Sequence, residues 1–144
     1  MIPMAEVEEV KEVKEVEEKT ARSSPVRTYS DLLVYKQAYR LALEVSRFTR
    51  SFPAREQFEL ARQLRDSSRS IAANIVEGWA KRHSPAEFKR HLVIATGECA
   101  ETRFWLELAA DEGLGARKAF GELQAEYSKL GMMLHRLWKA WRKL

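Results

Sequence analysis

Pairs of a carboxylate and a histidine on one helix can bind metal ions. Bundles that bind two metal ions use a Glu-x-x-His pair, because a spacing of three places both ligands on one helix face. The chain has three histidines, at positions 83, 91 and 135, and none follows a glutamate by three residues. HExxH, the P-loop, GxGxxG and GxSxG are also absent. We therefore expect no metal site and no cofactor, with His83 in a turn and His91 and His135 at helix surfaces or boundaries.

Cys99 is the only thiol among the 144 residues, so it cannot form an internal disulfide. It lies beside Ala95 and Thr96 on a predicted apolar face, and no histidine is placed nearby in sequence to activate it. A free cysteine in such a position is most often a small core residue. We predict a buried and inert thiol, a reducing compartment, no catalytic residue and no enzymatic activity.

A line of polar side chains along the second predicted helix is the least ordinary feature of the sequence. The line consists of Gln63, Ser67, Ser70, Asn74 and Glu77. Its spacing of four and three residues stacks these groups on one helix face. Short amides and hydroxyls suit a fixed hydrogen-bond network at a packed interface, where an unpaired polar atom costs about 1–3 kcal/mol; a partly exposed face is the alternative. Gly78, just after the line, permits close backbone approach or begins a turn.

Basic side chains are concentrated in two places, along the second predicted helix and at one end of the predicted bundle. Three on the second predicted helix, Arg62, Arg65 and Arg69, lie along one side. In an antiparallel bundle the end of helix two, the start of helix three and the end of helix four meet at one end of the molecule. We call this end the basic pole. It contains Lys81, Arg82, His83, Lys89, Arg90, Arg136, Lys139, Arg142 and Lys143.

Two tryptophans, Trp138 and Trp141, lie among these charges. An aromatic ring beside arginine or lysine can stack on a nucleic-acid base. Core packing is the alternative, and it is favoured for Trp141 because this residue completes the apolar repeat of its helix. The eleven basic residues numbered 62, 65, 69, 81, 82, 89, 90, 136, 139, 142 and 143 are our predicted nucleic-acid-binding set.

Four amphipathic helices are predicted to position these groups. The first begins at a Ser30-Asp31 cap and ends at Pro53, which cannot continue a helix. Its predicted apolar face consists of Tyr35, Ala38, Ala42, Val45, Thr49 and Phe52. The second runs from Ala54 to Ala80, and its predicted apolar positions are Phe58, Leu60, Leu64, Ile71 and Ile75.

The third and fourth helices have the clearest boundaries. Ser84 to Glu87 is a capping box with a proline in the tolerant first turn, and the predicted face is Phe88, Leu92, Ala95, Cys99, Thr102 and Leu106. Two glycines at 113 and 115 predict a break. The fourth helix then repeats apolar residues at spacings of three and four, namely Phe120, Leu123, Tyr127, Leu130, Leu134, Leu137 and Trp141. The fold class is therefore all-α, an up-down-up-down antiparallel four-helix bundle.

Charge and composition divide the chain in two. Residues 1–25 carry seven glutamates and a net charge of −3, which leaves +7 on residues 26–144 of a chain with net charge +4. We predict a charged extension over 1–25 and one bundle domain over 26–144. The valines at 7, 10, 13 and 16 favour a solvated, partly helical extension, and a coiled-coil partner site is the alternative. No apolar run is long enough to cross a bilayer, so we expect a cytoplasmic protein that does not bind membranes.

A resemblance to a known family rests on several of these stretches. Asp31 to Ala38, Phe52-Pro53, Gln63 to Arg65 and above all Ser-Ile-Ala-Ala-Asn-Ile-Val-Glu-Gly over 70–78 resemble the four helix bundle protein family. That family includes proteins encoded in intervening sequences of bacterial 23S ribosomal RNA genes. The stretch Arg103 to Leu106 is also similar to the related accessory variability determinant of diversity-generating retroelements, which partners a reverse transcriptase. The chain departs from the family pattern at residues 66–69, where Asp66 lowers the local positive charge.

The resemblance implies a homopentamer of bundles with a basic surface for nucleic acid and no enzymatic activity. It also implies that the polar line is a surface between helices or subunits. Our leading hypothesis is an oligomeric adaptor that presents basic helical surfaces to RNA or DNA, together with a protein partner such as a reverse transcriptase. The alternative is a protein-only scaffold whose basic residues are solvated.

Overall fold

The computed structural model describes residues 26–141, and within them the fold consists of helices without any strand. Four α-helices span Leu33–Thr49 (α1), Leu60–Ala80 (α2), Pro85–Asp111 (α3) and Arg117–Ala140 (α4). Short 3-10 turns at Tyr29–Asp31 and Ala54–Glu56 precede α1 and α2. The predicted all-α class is confirmed. The predicted extension over 1–25 lies outside the described residues.

Each helix packs against its neighbours in the chain, and α1 also packs against α4. The contacts run in opposite directions along neighbouring helices. Between α2 and α3, Ser67 contacts Thr102 and Asn74 contacts His91. Between α1 and α4, a hydrogen bond joins Gln37 to Glu126, while the rings of Phe48 and Phe120 meet at 4.7 Å between centroids. The start of α1 therefore lies towards the end of α4.

The apolar face predicted for α3 is confirmed in full, because all six residues are buried. On α4, Phe120 to Leu134 of the predicted repeat are buried, and Leu137 and Trp141 pack partly buried against the same core. The apolar faces predicted for the first two helices are confirmed only in part. Tyr35 and Ala42 are half-buried, and α1 instead buries Val34 and Leu41.

The predicted start of the first helix is wrong. Asp31 accepts hydrogen bonds from the backbone amides of Arg27 and Thr28, at 2.9 and 3.1 Å, so its carboxylate closes a preceding turn and does not cap α1. These two bonds hold the pKa of Asp31 below its ordinary value. Leu32 is extended and buried, and the helix begins at Leu33.

Phe58 is not a core residue, and the second helix does not begin at Ala54. The side chain of Phe58 is 81% exposed, and α2 begins two residues later. The reason is the preceding connection: the side-chain amide of Gln57 donates to the carbonyls of Thr49 and Phe52, at 2.7 and 2.9 Å. This link turns the chain so that Leu60, rather than Phe58, enters the core.

The boundaries of α3 follow the sequence closely. The Ser84 hydroxyl accepts from the amide of Glu87 at 3.4 Å, as predicted. The reciprocal half of the capping box is not formed, because the Glu87 carboxylate instead pairs with Arg90. At the other end, Gly113 adopts φ +74° and the amide of Leu114 donates to the carbonyl of Ala109. This is the left-handed helix end that the glycine predicts.

Candidate functional site

The basic pole is built on a cluster of aromatic rings. Phe88, at the start of α3, is fully buried, and its ring lies 4.6 Å from that of Trp141 and 6.1 Å from that of Trp79. Trp79 and Trp141 meet at 6.2 Å. These contacts bring together the end of α2, the start of α3 and the end of α4. Core packing is thus the observed role of Trp141.

Two cations of the pole lie on tryptophan faces. The Arg82 guanidinium is 4.3 Å from the Trp79 ring centroid, and the Lys89 ammonium is 5.0 Å from that of Trp138. Neither forms an ion pair with a carboxylate among residues 26–141. A cation on an aromatic face gains about 0.5–1 kcal/mol at an exposed site and keeps its charge. Both groups therefore lie on aromatic faces, and no carboxylate of the described residues compensates their charge.

Two other cations of the pole are paired with acids on or next to their own helices. Lys81 Nζ lies 3.8 Å from Glu77, and Arg90 Nη2 lies 3.1 Å from Glu87. The hydrogen bond from Arg90 lowers the pKa of Glu87. Exposed pairs of this kind contribute little to stability, but they reduce the net charge of their part of the pole.

A buried histidine connects the pole to the polar line. His91 is only 3% exposed, so the prediction that it lies at a helix surface or boundary is wrong. Its Nε2 lies 3.4 Å from both Lys81 Nζ and Arg90 Nη2, which can only donate. Nε2 therefore accepts, and Nδ1 carries the proton and donates to Asn74 Oδ1 at 3.1 Å. The signal in the sequence was its spacing of three from Phe88, which places it on the buried face of α3.

Gly78 permits close approach of α2 and α3 at this point. A Cβ atom added to Gly78 would lie 2.7 Å from the Cβ of His91 and 3.2 Å from Cδ2 of Phe88. Of the two roles predicted for Gly78, close backbone approach is the one observed. Because α2 continues to Ala80, Gly78 does not begin the turn.

The polar line is a packed interface in its middle and exposed at its ends. Ser67 is buried and accepts a hydrogen bond from Thr102 of α3 at 2.9 Å. Asn74 donates to the Ser70 carbonyl at 2.9 Å, which orients its oxygen towards His91. Gln63 and Glu77 are exposed. Within residues 26–141 the line therefore contacts α3 of its own chain through Ser67 and Asn74.

The predicted cations on α2 lie away from the pole. Arg62 is 3.7 Å from Asp66, and Arg69 donates to the Ser46 hydroxyl at 3.3 Å. Arg65 is half-buried and donates to the Gln57 carbonyl at 2.8 Å, to the Gln57 side chain at 3.1 Å and to the Thr49 hydroxyl at 3.4 Å. Its guanidinium therefore secures the connection between α1 and α2.

Replacing Arg65 with glutamine is expected to lower the free energy of unfolding by about 1–3 kcal/mol, because the hydrogen bonds from its charged group to a half-buried carbonyl would be removed. Chemical denaturation followed by circular dichroism measures this. Arg62→Gln removes the same charge one turn away, where the ion pair with Asp66 is exposed, and should change stability by less than about 0.5 kcal/mol. Equal losses of stability in the two variants would contradict a structural role for Arg65.

The remaining predicted cations lie on or beyond α4. Arg136 is half-buried and Lys139 is exposed, and both lie in the last turns of the helix. Arg142 and Lys143 lie outside the described residues. His135 stacks on Trp138 at 5.5 Å between ring centroids, on the exposed side of α4. Trp138 thus has His135 and Lys89 as neighbours, and its side chain is half-buried.

Cys99 and the possible metal ligands within residues 26–141 were the candidates for chemistry. Cys99 is buried, and burial raises the pKa of its thiol to about 12, so the predicted core position is confirmed. No three His, Cys, Asp or Glu side chains in the described range are placed to hold a metal ion. None of the helices in that range is apolar over a length sufficient to span a bilayer.

Comparison with known proteins places most of the described chain in one family. The sequence model of the 23S rRNA-intervening sequence protein family matches residues 30–136. The chain is also similar to a crystal structure of a protein of unknown function from the S23 ribosomal protein family of Bacteroides thetaiotaomicron VPI-5482. The TM-score is 0.68 at 25% identity, over 75% of this chain and 96% of that one. No protein with a curated description matches significantly.

Proposed function

Because this chain belongs to the 23S rRNA-intervening sequence protein family, we propose that it is a non-enzymatic oligomeric adaptor whose basic pole binds RNA or DNA. The proposal is based on one observation, that two cations at the pole have no acidic partner in the described residues. Arg82 and Lys89 lie on tryptophan faces without an acidic partner in the described residues. Cations without an acidic partner are suited to phosphate oxygens, because no ion pair has to be broken before they donate charge-assisted hydrogen bonds.

The oligomeric part of the proposal is supported by an apolar strip on the outer side of α3 and α4. Val93, Phe104 and Met132 are 56%, 54% and 47% exposed. Small residues lie between them on α3, at Gly97 and Ala100. Such a face allows close approach of a second helix pair. The homopentamer and the reverse transcriptase partner implied by the resemblance belong to this proposal.

A fluorescence anisotropy titration tests the binding surface. Labelled generic RNA and DNA are titrated with the full chain at about 50 and 200 mM salt. We expect the variant Arg82→Gln/Lys89→Gln/Lys139→Gln to lower affinity about tenfold or more. It should also reduce the slope of log K against log salt by up to about 0.9 for each phosphate group that the variant no longer binds.

The matched control removes three exposed cations at the opposite end of the bundle. Arg55→Gln/Arg117→Gln/Lys118→Gln changes the net charge equally and should leave affinity close to that of the unchanged chain. Equal reductions of affinity in the two variants, or an affinity that does not fall with salt, would contradict binding at the pole. Sedimentation velocity on the same samples counts the subunits, and a monomer at all concentrations would contradict the oligomeric part.

A protein-only scaffold is the second candidate, and the same exposed strip on α3 and α4 favours it. In this case the partner is held by apolar contacts, so nuclease treatment of a pull-down would leave the captured protein unchanged. Under the first candidate, nuclease releases a partner that is bridged by nucleic acid.

A further inference from the structure

The chain enters the bundle at the basic pole. Val26 packs partly buried against the core, and the turn at Tyr29–Asp31 contacts α2. The helices α1 and α4 run in opposite directions. Gln37, near the start of α1, contacts Glu126, whereas Phe48, near its end, contacts Phe120 at the start of α4. The start of α1 therefore lies at the same end as Trp138. Residues 1–25 are attached at that end.

The charge of this attached segment is opposite to that of the pole. It carries seven glutamates against four basic residues. The described cations of the pole are Lys81, Arg82, Lys89, Arg90, Arg136 and Lys139. Within the described chain, the carboxylates of Glu77 and Glu87 pair with Lys81 and Arg90, whereas Arg82 and Lys89 have no acidic partner there. The family match begins at residue 30, so the acidic segment lies outside the matched residues.

We infer that residues 1–25 lie against the basic pole of their own chain and compete there with nucleic acid. The competition rests on the proposed function, whereas the association itself rests only on charge and attachment. Twenty-five residues span about 37 Å even at the helical rise of about 1.5 Å each, and two packed helices are about 20 Å across. The acidic segment can therefore reach every cation of the pole.

Attachment makes the association effective despite its modest charge. A segment tethered by a short connection has an effective concentration of the order of millimolar at its site. Interactions between exposed charges are screened over about 10 Å at 0.1 M salt and about 3 Å at 1 M. The segment should therefore bind the pole at low salt and leave it at high salt.

A quenching experiment on the full chain tests this association without nucleic acid. Cys99 is buried and its thiol pKa is raised to about 12, so a cysteine introduced by Val10→Cys is the reactive thiol for a nitroxide label. In a Trp105→Phe background the remaining tryptophans, 79, 138 and 141, lie at the pole. We expect the label to reduce tryptophan emission at about 50 mM salt at least twofold more than at about 1 M.

Two controls identify the cause of the quenching. A label at Glu112→Cys, at the far end of α3, should give no salt-dependent quenching. Changing all seven glutamates of the segment to glutamine should abolish it in the Val10→Cys protein. Emission that is equal at both salt concentrations, or unchanged by the seven substitutions, would overturn the inference.

The competition is measured separately by the anisotropy titration. The seven-glutamine chain should bind RNA or DNA at least about threefold more tightly than the unchanged chain at about 50 mM salt. Equal affinities would overturn the competition. If quenching follows the expected pattern but neither chain binds nucleic acid, the association stands and the proposed function fails.

Discussion

Replacing Phe88 with alanine is expected to lower the free energy of unfolding by about 3–5 kcal/mol, the range for a buried phenylalanine whose cavity cannot close. The ring is fully buried, and Trp79 and Trp141 pack on it from two other helices. These large and rigid neighbours come from different elements, so they cannot move in together to fill the space. Denaturant unfolding followed by tryptophan emission measures the loss in free energy of unfolding.

Phe58→Ala is the matched control for this prediction. It removes the same ring from a side chain that is 81% exposed and should change stability by less than about 0.5 kcal/mol. Sequence periodicity alone assigns both phenylalanines to the core. A comparable destabilisation in the two variants would contradict the described course of the chain between α1 and α2.

Replacing Gly78 with alanine is expected to cost about 1–3 kcal/mol, because the new methyl group would lie 2.7 Å from the Cβ of His91. That atom is fixed to the backbone of α3, so α2 and α3 must separate to admit the methyl. The separation would also lengthen the hydrogen bond between Asn74 and His91. Thermal unfolding gives the loss of stability, and the His91 imidazole resonances report the change in the hydrogen bond.

Gly121→Ala provides the opposite result from the same chemical change. Gly121 lies in the interior of α4 and has no atom within 4 Å of the position that a Cβ would take. Alanine there should raise stability by about 0.5–1 kcal/mol, through its better helix propensity. If both variants were stabilised, the close packing at Gly78 would be contradicted.

Much of the fold could be predicted from apolar spacing, and α3 and α4 show why. Their buried faces repeat at three and four residues without interruption, and Ser84 and Gly113 act through local backbone geometry that depends on few other residues. The start of α1 and the position of Phe58 could not be predicted in this way. Both depend on hydrogen bonds made by Asp31 and Gln57 to backbone groups outside the regular helical pattern, which compete with it.

The sequence predicts where the candidate site lies better than it predicts which of its side chains form ion pairs. Antiparallel packing of four helices brings the basic residues near 82 and 139 to one end whatever their side-chain conformations. Which cations are paired depends on individual side chains, as for Arg90 with Glu87 and Arg82 on Trp79. The role of Arg65 could likewise not be predicted from the sequence, because its hydrogen-bond partners lie in an irregular connection. The prediction for the buried histidine was wrong because it followed the polarity of the side chain rather than its position on α3.

The connection secured by Arg65 also affects how charge is arranged over the whole bundle. Near that connection and the break at Gly113, acidic and basic residues occur in similar numbers and the half-buried Arg65 points inward. At the other end, Arg82 and Lys89 carry uncompensated charge. The domain is therefore an electric dipole directed along its length, and the field of a polyanion would turn it end-on before the two meet. Subunits arranged side by side in parallel would add their dipoles and present one charged rim, whereas antiparallel neighbours would cancel them.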